Sequence, residues 1–186
     1  MSVPLPDANL TTRRLADTSL TPKIPTMPPA LQIAAEEVTR EDLVALLNED
    51  LAREYQAVIS YVVYSQTIKG PQYMNVAAEL ELHAVEELEH ALLIAGQIDY
   101  LGGLPLGVPK PVKISANPKE MLQFDLDAEI ETIAHYRKRV RQCEALGEFA
   151  LAEHIRGILV QEQDHQISLA TALGIETPDA SQPIKH

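Results

Sequence analysis

Two stretches of the chain, "EELEH" (86–90) and "QEQDH" (161–165), each set a glutamate three residues before a histidine: Glu87 with His90, and Glu162 with His165. On a helix, residues at i and i+3 project side by side from one face, so each pair offers a carboxylate next to an imidazole. Oxygen and nitrogen donors without sulfur, in a set that leaves coordination positions free, suit iron or manganese at a redox centre better than structural zinc. One Glu-x-x-His is weak evidence in a chain with eighteen Glu and six His. Its weight here comes from repetition and from partners.

The two halves repeat at an offset of 75 residues. "LAREYQAVISY" (51–61) lies over "LDAEIETIAHY" (126–136), aligning Glu54 with Glu129 and Tyr61 with Tyr136; "VEELEHAL" (85–92) lies over "VQEQDHQI" (160–167), aligning Glu87 with Glu162 and His90 with His165. The two carboxylates of each half are 33 residues apart. Stepping by four and three picks out an inward face on each of four helical segments. It gives Leu47, Leu51, Glu54, Val58 and Tyr61; Val76, Leu80, His83, Glu87, His90 and Ile94; Leu122, Leu126, Glu129, Ile133, Tyr136 and Val140; and Leu151, Ile155, Ile158, Glu162, His165 and Leu169. Every face is apolar except at mid-length.

Four carboxylates meeting there would repel one another and lose their hydration, so they must be protonated or compensated by cations. Two divalent ions would supply +4 against −4. The competing reading is structural, with central polar residues that only enforce helix pairing. Tyr61 and Tyr136 either hydrogen-bond a ligand carboxylate or pack with a satisfied hydroxyl. His83, one turn before Glu87, is read as a hydrogen-bonded core histidine ahead of an extra ligand. Glu86 and Glu89 are assigned to a solvated face, and His135 and His154 lie off the seam.

Four long helices must position these groups. The first spans about 40–69, with Thr39 as N-cap and Glu41 and Asp42 in its first turn, and stops at "KGP". The second starts near Gln72 and ends before Gly102-Gly103. The third is announced by "NPKE", where Asn117 caps and Pro118 takes the first helical position, and it ends near Gly147. The fourth runs to Leu173 and is terminated by Gly174. Short turns make helices one and two, and three and four, antiparallel pairs. The segment from Gly102 to Ala116, with Pro105, Pro109 and Pro111, reaches at most about 50 Å, enough for a crossover along a helix of about 45 Å. Helices two and three are then parallel.

Composition agrees with an all-α chain. Of 186 residues 46% are hydrophobic but only 4% aromatic, with no Trp, which suits aliphatic helix packing rather than a sheet. A net charge of −12 excludes a phosphate backbone as partner. Cys143 stands alone, so no internal disulfide forms. No apolar run approaches the roughly 20 residues that span a bilayer, and "LADTSLTPKIPTMPP" after Arg13-Arg14 is no signal sequence. A cytoplasmic protein with no membrane or nucleic-acid partner is expected. Six of the thirteen prolines fall in residues 1–36, which read as an extended arm before a bundle at 37–174 and a tail at 175–186.

The segment from about 40 to 174 resembles bacterioferritin, within the ferritin-like di-iron carboxylate superfamily. Its paired Glu and Glu-x-x-His motifs, "LGGLP" after helix two and "DLDAE" in helix three carry the resemblance. The resemblance implies a ferritin-like four-helix bundle holding two iron ions per chain, with manganese as alternative. Glu87 and Glu162 would bridge the metals, Glu54 and Glu129 would be terminal ligands, and His90 and His165 would each complete one metal. It implies a ferroxidase or iron-storage protein acting on Fe(II) with O2 or H2O2, assembled as a homo-oligomer. A rubrerythrin-like peroxidase, a manganese catalase and a non-catalytic assembly module are the alternatives. Leu88 stands where bacterioferritin carries its haem-ligand Met, so no haem is expected.

Overall fold

In the computed structural model, residues 38–180 are described, and the proline-rich arm at 1–36 lies outside them. The four expected helices are α1 (Arg40–Thr67), α2 (Met74–Tyr100), α3 (Pro118–Ala145) and α4 (Phe149–Leu173), with no strand among the described residues.

Local chemistry sets their ends. Thr39 Oγ1 accepts from the Asp42 amide at 3.1 Å while Asp42 Oδ2 accepts from the Thr39 amide at 3.0 Å, a closed capping box that starts α1. At α3, Asn117 Oδ1 accepts from the Lys119 amide at 3.0 Å and Pro118 needs no donor partner there. Glu120 does not turn back to the cap; it accepts from Ser115 Oγ at 2.6 Å. α2 begins two residues later than expected, because Pro71–Tyr73 forms a 3-10 turn after Gly70 at φ 129°. Gly174, at φ 71°, closes α4 in the left-handed region that an L side chain disfavours.

α1 packs on α2 and α3, and α4 packs on α3 and α2. The crossover climbs along α1: Leu106 N and Leu104 O meet the Asn48 side chain, Lys110 N donates to Ala52 O at 2.9 Å, Gln56 Nε2 to Pro111 O at 2.6 Å, and Tyr64 OH to Lys113 O. It thus carries the chain back along the bundle, making α2 and α3 parallel and α1 and α3 antiparallel, the topology expected of a ferritin-like bundle. Two apolar clusters fill the ends, one around Leu47, Leu51, Ile94 and Ile155, the other around Leu80, Leu122, Leu126 and Ile133. Each fully buried aliphatic side chain contributes about 1.5–3 kcal/mol. Of the expected seam only Val58 and Val76 are half-buried; the rest is buried. Between the clusters lies a polar layer.

Candidate metal centre

Glu54, Glu87, His90, Glu129, Glu162 and His165 converge in that layer, none more than 3% exposed. α1 and α3 bring Glu54 and Glu129; α2 and α4 bring the two Glu-x-x-His pairs. The distances separate the carboxylates into two kinds. Glu87 Oε2 lies 3.3 Å from His90 Nδ1 and its Oε1 3.0 Å from His165 Nδ1. Glu162 likewise sets Oε1 3.2 Å from His90 Nδ1 and Oε2 3.7 Å from His165 Nδ1. Glu54 faces only His90, at 3.3 Å, and Glu129 only His165, at 3.8 Å. Two four-residue donor groups result, each with its ligand atoms within 4.8 Å of one another, sharing Glu87 and Glu162.

Both imidazoles turn Nδ1 inward because Nε2 is held outside. His90 Nε2 bonds Gln161 Oε1 at 2.9 Å, and His165 Nε2 bonds Glu86 Oε2 at 2.8 Å. Such partners fix the ring and its tautomer, and where a metal is bound their loss typically weakens it by about 10–100-fold. The tyrosines meet the terminal carboxylates crosswise: Tyr61 OH donates to Glu129 Oε1 and Tyr136 OH to Glu54 Oε1. Hydrogen-bonding, rather than plain packing, is therefore what these hydroxyls do.

The electrostatics are those of a crowded, dry site. Burial, then Glu87 and Glu162, hold the Glu54 carboxyl well above the usual range. Burial and then Glu162 push Glu129 to about 8. Burial alone would lower His90 and His165, but the surrounding carboxylates hold both well above an ordinary imidazole. Burial and Glu87 press Glu162 upward, yet His165 and His90 leave it below the usual value. Even so, Glu54 Oε2, Glu87 Oε1, both Glu162 oxygens and His165 Nδ1 make no well-aligned hydrogen bond. Orphaned oxygens this deep are expensive unless a cation meets them, so the residues fit a pair of divalent ions.

Glu86 corrects one expectation. It is half-buried rather than fully solvated, because the packing of α4 on α2 brings His165 to it; Glu89 is exposed as expected. His83 is buried but its Nδ1 has no partner and its Nε2 stands 3.6 Å from Glu79 Oε1. It stacks on His165 at 4.1 Å and meets Tyr61 edge-on, and burial followed by His165 lowers it to about 3. It makes no well-aligned hydrogen bond through Nδ1, and with Glu86 and His165 it forms a third donor group whose ligand atoms lie within 4.8 Å of one another. His154 is exposed and His135 half-exposed, both off the seam. The motif reading passed over Gln161, Asp50, Arg139 and the unpaired Asp125; the offset of 75 pairs Glu86 with Gln161 and Asp50 with Asp125, a signal that would have found them.

Comparison with known proteins identifies the family and the fold. The ferritin-like domain family matches residues 44–176. Bacterioferritin of Brucella melitensis biotype 1 is 28% identical over 130 residues, which cover 69% of this chain and 81% of that protein. A ferritin-like, di-iron carboxylate protein from Bacillus anthracis str. Ames superposes with a TM-score of 0.70 at 34% identity, over 72% of this chain and 96% of that one. The dodecameric thioferritin of Bacteroides fragilis, a bacterioferritin-related protein, gives a TM-score of 0.69 at 25% identity, over 74% and 87%.

Proposed function

This chain belongs to the ferritin-like family, and on that premise we propose that it oxidises Fe(II) to Fe(III) at a two-metal centre within each subunit. The observation that carries this reading is the division of labour among the glutamates, with Glu87 and Glu162 each facing both histidines and Glu54 and Glu129 each facing one. In this reading the six side chains would hold the two ions, Glu87 and Glu162 being placed to serve both, and Glu54 with His90 and Glu129 with His165 one each. Manganese could take the same donors.

Two bound Fe(II) ions each give one electron to O2, which takes two protons and leaves as H2O2; with H2O2 as oxidant, two protons are taken and two waters leave. The side chains need supply no nucleophile. They hold the ion pair, exclude bulk water and give up protons as metal arrives, since ligating carboxylates and imidazoles must be deprotonated. Tyr61 and Tyr136 restrain the terminal carboxylates by occupying one oxygen of each. The reading extends to a cytoplasmic homo-oligomer of iron homeostasis in which residues 37–174 form the bundle; of the tail beyond it, the Pro178 carbonyl accepts from Gln166 Nε2 at 2.9 Å and Ala180 is buried in an apolar cluster of the bundle. Among the described residues no helix is long and apolar enough to cross a membrane, and the helices expose Ile59, Val62, Val85 and Leu88, which another copy would cover.

Graded Fe(II) added to the metal-free protein in air, with oxidation and particle size recorded together, tests the proposal. Saturation near two irons per chain supports a discrete catalyst, and uptake far beyond two in a large particle supports storage. Glu87→Ala and Glu162→Ala should each abolish two-metal binding while the bundle still folds. Iron oxidation at the wild-type rate in both variants would remove the assignment.

A further inference from the structure

The repeat that builds the metal centre is broken at one pair of positions. Asp50, one turn before Glu54, is saturated: its Oδ2 accepts from Arg139 Nε at 2.6 Å, and its Oδ1 from Arg53 Nη2 at 2.5 Å and Arg139 Nη2 at 3.2 Å. Its mate Asp125, one turn before Glu129, is 4% exposed, yet its Oδ2 has no partner. The offset of 75 explains the difference. The places of Arg53 and Arg139 are taken in the other half by Ala128 and Tyr64, and Tyr64 spends its hydroxyl on the Lys113 carbonyl.

What the missing arginines leave is space. A cavity of about 200 Å³ between α1 and α3 is bounded by Asp125, Ala128, Tyr61 and Tyr64 and is also lined by Glu129 and Glu87. Its lining runs from exposed Glu131 and Lys113 to those fully buried glutamates. Neither cation on the lining is bonded to Asp125: Arg53 is held by Asp50, and the Lys113 ammonium lies over the Phe124 ring, 5.0 Å from the centroid. An unpaired carboxylate buried beside open space costs stability, and an apolar or amide side chain of similar size would relieve that cost. The one thing it does better than such a side chain is to bind a cation.

We infer that Asp125 receives an incoming divalent cation at the inner end of this cavity and passes it to the four-glutamate centre. The inference rests on the two-metal reading above. A hard divalent ion exchanges water for carboxylate oxygen readily. A single carboxylate holds it loosely enough to release it inward, as transit through a pore requires. Any proton carried by Asp125 leaves as the ion arrives, and Glu129, one turn along α3, is the next oxygen donor on the same cavity wall.

The test is stopped-flow uptake of Co(II) by the metal-free, full-length protein, followed by the visible absorption of the bound ion. Asp125→Asn should slow uptake roughly tenfold, the low end of the gain that a predominantly acidic cleft gives to cation arrival, while the final occupancy stays at two cobalt ions per chain. Ala128→Arg, which restores the twin's cation beside Asp125, should slow uptake similarly. Its purpose is to keep the test open should Asp125→Asn fail to fold. Wild-type uptake rates in either folded variant overturn the inference and leave the two-metal centre standing. A wild-type protein that never binds two Co(II) ions overturns the two-metal reading itself.

Discussion

At the scale of single residues, the metal centre couples stability to protons. Glu129 keeps its proton in the folded chain up to about 8 against an ordinary value of 4.5, burial being the main cause and Glu162 the next. Between those values the folded state binds a proton that the unfolded state has lost, so this contribution is complete below 4.5 and disappears as pH rises through about 8. Glu54 shifts in the same direction, and the raised histidines add to the loss toward higher pH. The metal-free protein should therefore weaken from about pH 5 to about pH 8, whereas Mn(II) affinity should rise over the same range as the ligands give up their protons. Denaturant midpoints with and without Mn(II) check this; a metal-free protein that gains stability with rising pH would refute it. The six ligand candidates were legible because each sits on a mid-seam position and has a mate 75 residues away. Glu86 was not, since a residue one position before a seam glutamate reads as surface until α4 packs beside it.

At the scale of elements, the helix ends follow from caps and breakers written locally, such as Thr39 with Asp42 and Gly174. The tie between α1 and α3 is of another kind. Arg139 is 2% exposed and meets Asp50, Gln142 and the Leu46 carbonyl. Removing Arg139 takes away two of the three bonds to Asp50 and leaves it Arg53 alone, so the cost falls short of the about 3–5 kcal/mol of a wholly uncompensated buried charge. Arg139→Ala should lose stability in urea denaturation by less than that figure. An Arg139→Ala protein as stable as wild type would mean that the pair is not holding the helices together. No periodicity in either helix announces this contact, because a charged residue off the repeat pattern reads as solvated.

At the scale of the whole molecule, α1 and α2 present a shared apolar face. The Gln66 to Glu81 hydrogen bond sets an antiparallel register that carries Val62 toward Val85 and Ile59 toward Leu88. All four are exposed, at 50%, 57%, 41% and 48% respectively. In the homo-oligomer proposed above, a charge placed on this face would be buried without a partner. Val62→Glu combined with Val85→Glu should shrink the particle seen by sedimentation and leave two metal ions bound per chain. An unchanged particle would show that the subunits meet elsewhere.

Helix number, caps, crossover and the glutamate and histidine seam were determined by the sequence alone, since each depends on residues within a few turns of one another or on a fixed repeat. Only the tertiary structure decided which carboxylates face both histidines and which nitrogen each imidazole turns inward. It also decided that Asp50 is paired while its mate Asp125 is not. Those outcomes depend on where side chains from α1 and α3, or from α2 and α4, meet across the bundle. Identical residue types at equivalent positions acquire different partners there, because what each faces is supplied by another helix.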